Sequence, residues 1–182
     1  MVDSDFEAWV DSLHLQEPDE GGDIGEVAAG TMQFLREVFD KHRGPAPLEV
    51  LRQARNDREM ALAHRGVELF SADLHRTTSL TPDIAIWRRE DDGTLVVSYN
   101  GNYSTPALMS IRAPEALCEV ADNLRNHVVD DLWTVWPLCP NDGLGLDPRP
   151  VDRQAVWYCR VGNHVLSPIG KLQSSPSDRT AR

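Results

Sequence analysis

Apolar positions in the first third of the chain recur at helical spacing. Phe6, Trp9, Val10 and Leu13 fall at i, i+3, i+4 and i+7, one face of an α-helix, and Ser4 with Glu7 fits a capping box at its start. The polar stretch 16–22, which contains Pro and Gly, reads as a connector. Asp23 with Glu26 repeats the capping pattern. Ile24, Val27, Ala28, Thr31, Leu35 and Val38 then form a second apolar stripe that stops at Gly44-Pro45. A third helix is expected from Pro47 to about His64, ended by Gly66. Arg52, Arg55 and Arg58 share one of its faces, but Asp57 and Glu59 sit among them, so the face reads as solvated surface rather than a phosphate site.

Beyond Gly66 the residue types become strand-like. Val67–Leu74, Asp83–Arg89 and Thr94–Tyr99 are expected strands, with turns at Asp91-Asp92-Gly93 and Asn100-Gly101-Asn102. Tyr103–Ile111 is expected as an edge or interrupted strand because it contains Pro106. Pro114 opens a helix that buries Leu117, Ala121, Leu124, Val128 and Leu132 and is closed by Trp136-Pro137. Short strands follow around Ala155–Cys159 and His164–Ser167, and the polar tail 173–182 lacks periodicity and is expected to be disordered. Strand runs cluster instead of alternating with helices. That predicts an α+β fold: N-terminal helices and one long helix on a small, mostly antiparallel sheet, with a C-terminal hairpin alongside. The expected division is an acidic helix and connector over 1–22, an α+β core over 23–137, the hairpin over 138–172 and the tail.

Composition narrows the function classes. A chain of 182 residues suits one domain with a small appendage. It carries 29 acids against 18 bases, and nine of the acids lie in residues 1–35, which hold no Lys or Arg. The remainder is close to neutral. A net-negative protein repels phosphate backbones, which disfavours nucleic acid as a partner, whereas a localised acidic arm suits steering toward a basic protein. No apolar run reaches the length of a membrane span, and the acidic N-terminus is unlike a secretory signal. Three cysteines are too few for a disulfide scaffold, so a cytoplasmic location is expected.

One constellation carries metal chemistry. Cys139 lies in a Pro-containing turn with Asp142 three residues on, and Cys159 and His164 form a C-x4-H pair after a β-rich run. Two knuckles presenting two ligands each are what a closed tetrahedral zinc site requires, although such sites favour Cys and His over a carboxylate. The competing reading is a small hairpin held by Trp136, Trp157, Leu138 and buried thiols. The run Trp136-Pro137-Leu138-Cys139-Pro140, with Gly143-Leu144, Val156-Trp157-Tyr158-Cys159, Gly162-Asn163-His164 and Ile169-Gly170, resembles the C-terminus of an uncharacterised actinobacterial protein family with a degenerate zinc-ribbon-like hairpin. That resemblance spans about residues 95–172 and implies a His in the relatives where this chain has Asp142. It brings no known activity.

Catalytic signatures are missing from the sequence. There is no Gly-x-Ser-x-Gly elbow, phosphate loop, dinucleotide fingerprint or His-Glu-x-x-His helix. Asp83 ahead of a strand suggests a magnesium nuclease, but the following strand lacks the acid-x-Lys pair, and the only lysines are Lys41 and Lys171. Cys118 reads as a small core residue, and Trp87, Trp133, Trp136 and Trp157 read as core. The expectation is therefore a non-catalytic protein-binding module, of adaptor, chaperone-like or immunity/inhibitor type. Its acidic N-terminal surface would meet a basic partner, with Phe6, Trp9, Val10 and Leu13 as contact residues. The alternative is a metal-dependent hydrolase built on Asp83, His75 or the Cys139, Cys159 and His164 group.

Overall fold

The computed structural model describes residues 2–13, 24–104 and 106–173, and the side chains of residues 2, 3 and 24–29 are outside that description. The expected connector 16–22, Asp23 of the second capping pair and the tail beyond Gln173 lie outside the described residues. The fold is α+β, and the chain forms two compact units, Met1–Arg58 and Glu59–Arg182.

The first unit holds helices α1 (Val2–Ser12) and α2 (Ile24–His42) and the opening turns of α3 (Leu48–Thr77). The 3.6-residue spacing of Phe6 and Trp9 turns both rings to one side of α1, where each lies 5.4 Å from the ring of Phe39. Phe34, Leu35 and Val38 are buried with them. The Arg36 guanidinium sits 4.9 Å above the Phe6 ring. Helix α2 ends as its sequence dictates: Arg43 and Gly44 adopt positive φ (61° and 145°), and the Gly44 amide donates to the Phe39 carbonyl at 3.0 Å. The arginine face of α3 is indeed a surface device, since Arg58 pairs with Glu37 and lies over the Phe34 ring.

The second unit departs from the expected elements at its start. Val67–Leu74 is not a strand: α3 continues through it to Thr77. Ala63, Phe70 and Leu74 are buried and Val67 packs against them, a helical set of spacings that β-rich residue types had obscured. Gly66 does not stop the helix. A Cβ there would lie 2.8 Å from Val120 Cβ, so the glycine lets α3 pass close to the next long helix.

Two three-stranded antiparallel sheets follow. The first has order β1-β2-β3, with β1 (Ile84–Arg88), β2 (Leu95–Tyr99) and β3 (Asn102–Tyr103). Its turns are those the sequence indicates. Asp92 Oδ1 accepts from both the Thr94 amide and hydroxyl, and Asn100-Gly101 supplies the two positive φ values of a tight hairpin (50° and 79°). The expected strand Tyr103–Ile111 shrinks to β3 plus one isolated bridge, Leu95 to Leu108. Pro106, with no N–H to offer, interrupts any longer ladder.

Helix α4 (Ala113–Leu132) has Pro114 in its first turn and ends at Trp133 in a left-handed conformation (φ 52°), earlier than Trp136-Pro137. Val120, Ala121, Leu124 and Val128 are fully buried, while Leu117 and Leu132 are partly so. Trp133 is 94% exposed and Trp87 52%, so two of the expected core tryptophans lie at the surface; Trp136 and Trp157 are buried.

The second sheet has order β4-β5-β6, with β4 (Asp147–Val151), β5 (Gln154–Cys159) and β6 (His164–Pro168). It is therefore one strand larger than the expected hairpin. Strand β4 reads Asp-Pro-Arg-Pro-Val, a composition that argues against a strand. It is tolerated because β4 is an edge and its prolines alternate, at Pro148 and Pro150. Helix α4 packs against β2, β4 and β5 and so joins the two sheets.

One buried carboxylate ties the last segment down. Asp73 of α3 is 0% exposed and accepts from Trp157 Nε1 (2.7 Å) and from the Gly170 (2.6 Å) and Leu172 (2.8 Å) amides. Arg76 adds a fourth donor at 3.0 Å. Burial pushes the Asp73 carboxyl up, and these donors pull it back. Among the described residues no helix is long and apolar enough to cross a membrane.

Candidate metal centre

Two tight turns deliver the donors. The first runs from Pro137 to Leu146. The Cys139 amide donates to the Leu144 carbonyl (2.7 Å), the Gly143 amide to the Cys139 carbonyl (2.8 Å) and the Leu146 amide to the Pro137 carbonyl (2.9 Å). Gly143 takes φ 66°, which closes the turn and holds Cys139 and Asp142 on one side of it. The second turn joins β5 to β6. Cys159 and His164 face each other as the last ladder pair, and Asn163 takes φ 50° while accepting from the Tyr158 hydroxyl at 2.5 Å.

These turns bring the ligand atoms of Cys139, Asp142, Cys159 and His164 within 4.8 Å of one another. Both cysteines are fully buried, His164 is half-buried and Asp142 is exposed. The thiols of Cys139 and Cys159 donate to the same oxygen, Asp142 Oδ2, at 3.2 and 3.0 Å. Cys139 Sγ lies 3.6 Å from His164 Nε2. Accepting from the two thiols, with His164 nearby, holds the Asp142 carboxyl below its usual range. The same carboxylate raises the Cys159 thiol.

The donor set can be tested against a metal by its spacing. Tetrahedral zinc with bonds of about 2.3 Å to sulfur and about 2.1 Å to nitrogen or oxygen implies S···N and S···O edges of about 3.6 Å. The Cys139–His164 separation of 3.6 Å meets that value. The sulfur–carboxylate contacts are a few tenths shorter, as S–H···O hydrogen bonds, and a cation would take the place of both thiol protons. The residues fit a divalent cation that accepts sulfur, nitrogen and oxygen together.

Gly162 completes the centre. A Cβ on it would lie 2.5 Å from His164 Nδ1 and 2.7 Å from Asp142 Oδ2, inside the donor group itself. The Gly162 amide donates to Cys159 Sγ at 3.3 Å, an outer-shell contact that fixes the sulfur. Gly162 is legible in sequence only as part of the turn, since its near neighbours come from both knuckles.

Other candidate residues lie elsewhere. Asp83 and His75 are exposed and outside this group. Asp83 instead exchanges hydrogen bonds with Asn100, at 2.9 Å through the Asn100 side chain and 2.8 Å through its amide. Cys118 is buried on α4, and burial pushes its thiol up to about 12. Phe6 and Trp9 are buried against Phe39, whereas Val10 and Leu13 are half-buried.

One polar row on α4 escaped the sequence reading. Glu119, Asn123, His127 and Asp131 recur every fourth residue. Glu119 accepts from the Met109 and Ser110 amides (2.9 and 3.1 Å), and Tyr99 donates to Asp131 at 2.7 Å. Ser104 Oγ lies 2.9 Å from His127 Nε2, and the His127 ring stacks on Tyr99 at 5.4 Å. Ser104 is only 4% exposed, so this Ser–His pair fastens the segment after β3 to the helix. The signal for it is the four-residue period of polar side chains.

Comparisons with protein-family models, curated proteins and solved structures found no match to this chain.

Proposed function

We propose that the protein is a non-catalytic, zinc-stapled binding module whose acidic N-terminal surface engages a basic protein partner. The observation that carries this reading is the convergence of two fully buried thiols, an imidazole and a carboxylate within 4.8 Å. Four protein ligands saturate tetrahedral zinc and leave no position for substrate, so the ion acts by tying the 137–146 turn to the β5–β6 hairpin. Zinc is favoured over magnesium or calcium because two of four donors are sulfur.

The first helix supports the partner half of the reading. With Phe6 and Trp9 turned onto Phe39, the face of α1 left to solvent carries Asp5, Glu7 and Asp11. Phe6 and Trp9 then anchor the helix while the carboxylates make the contact, a division of labour suited to electrostatic steering.

Elemental analysis of the purified protein tests the zinc. One zinc per chain is expected, with a lower Tm after chelation, and cobalt substitution should give the intense charge-transfer absorption of thiolate ligation. Zinc that exchanges rapidly and retains a bound water would favour the hydrolase reading instead. Affinity capture at low and high salt tests the surface. Asp5→Asn, Glu7→Gln and Asp11→Asn together should abolish capture of a basic partner, and capture indifferent to both salt and these changes removes the electrostatic role.

A further inference from the structure

The two turns that gather the candidate metal ligands also make a thiol pair. Cys139 Sγ and Cys159 Sγ lie within 4.8 Å of each other, and both donate to one oxygen, Asp142 Oδ2, at 3.2 and 3.0 Å. Sharing an acceptor aims both sulfurs at a common point. A disulfide needs them about 2.05 Å apart, so less than about 3 Å remains to be closed. Cys139 sits in a turn and Cys159 in the last ladder pair of β5 and β6, where the sheet ceases to constrain the backbone.

Access and contrast are both set by the surroundings. The cysteines are fully buried, but the carboxylate touching both sulfurs belongs to an exposed residue, and Gly162, whose amide donates to Cys159 Sγ, is exposed too. Movement of the Asp142 side chain therefore admits an oxidant only if it is small. Cys118 is outside this group and has no partner sulfur there. Burial, reinforced by the carboxylates of Glu115, Asp122 and Glu119, pushes its thiol up to about 12, which leaves it without the reactive thiolate form.

We propose that Cys139 and Cys159 form a reversible oxidation site, at which a peroxide converts the thiol pair to a disulfide. One sulfur attacks a peroxide oxygen; the S–O bond forms as the O–O bond breaks, and the expelled hydroxide leaves as water with that thiol's proton. The second sulfur then attacks the sulfenic sulfur. The S–S bond forms as the S–O bond breaks, and a second water leaves with the other thiol's proton. Two thiols are oxidised by two electrons and one peroxide is reduced to two waters. The product ties the 137–146 turn to the β5–β6 hairpin covalently and removes both thiolate donors, so a bound zinc would be released. That release rests on the zinc-stapled reading, whereas the disulfide does not.

Peptide mapping of the full-length protein tests the site. Zinc is measured first, hydrogen peroxide is added in small molar excess, and free thiols are alkylated in denaturant before digestion without reductant. Trypsin cuts after Arg153, between the two cysteines, so their link appears as two joined peptides. Joined Cys139 and Cys159 peptides are expected, with Cys118 alkylated, both thiols restored by dithiothreitol, and one zinc released per disulfide in protein that carried it. Cys118→Ser should leave the link unchanged. Zinc absent at the outset counts against the zinc-stapled reading alone, and the same digest still decides the disulfide. No Cys139–Cys159 link, a link to Cys118 or between chains in its place, or irreversible oxidation of both thiols without a link would each overturn the proposal.

Discussion

Replacing Asp73 by alanine should release the C-terminal segment and cost much of the second unit's stability. The carboxylate is 0% exposed and is the acceptor for three neutral N–H donors, Trp157 Nε1 and the amides of Gly170 and Leu172. Leaving a buried donor unpaired costs about 1–3 kcal/mol, so losing all three acceptor contacts should cost about 3–9 kcal/mol. Small domains have only about 5–15 kcal/mol in total, which makes this a large fraction. Asp73→Asn should cost roughly half as much, since one oxygen remains while the new NH2 faces donors. Arg76→Ala should cost no more than about 1 kcal/mol, because that side chain is 41% exposed and its ion pair is screened. Urea unfolding followed by tryptophan fluorescence reads all three variants. If Asp73→Ala costs under about 1 kcal/mol, or if Arg76→Ala costs as much as Asp73→Ala, capture of neutral N–H groups is not what holds this segment.

Two further outcomes test the close approaches. Gly66→Ala should destabilise despite the helix-propensity gain of about 1 kcal/mol, because its Cβ would meet Val120 at 2.8 Å and overpacking costs about 1–3 kcal/mol; a raised Tm would show that α3 and α4 can separate freely. Gly162→Ala should lower zinc affinity strongly while leaving the fold intact, since its Cβ would sit 2.5 Å from His164 and 2.7 Å from Asp142. An unchanged zinc content after competition with a chelator would argue against ligation by those two side chains.

Much of the local structure was legible in the chain. The 3.6-residue periodicity of α1 and α4, the stop at Gly44-Pro45 and the turns at 91–93 and 100–102 follow from rules that act over a few residues. The failures have a common physical cause. Val67–Leu74 has β-type composition but a helical burial pattern, and Gly66 just before it serves contact with a residue 54 positions away. Strand β4 violates strand composition and survives because it lies at an edge, a property of the assembled sheet. Exposure of Trp87 and Trp133 likewise depends on which faces the two sheets and α4 leave uncovered.

The candidate centre divides in the same way. By itself the sequence determined two pairs of donors, Cys139 with Asp142 and Cys159 with His164, because each pair lies within one turn and spacing fixes what a turn can present. It also determined the acidic character of the N-terminal helix, since charge needs no folding. Only the tertiary structure decided that the two pairs meet, that Gly162 leaves room between them, and that Asp73 captures a segment nearly a hundred residues away. Each of those outcomes depends on contacts between distant parts of the chain, which local pattern does not encode.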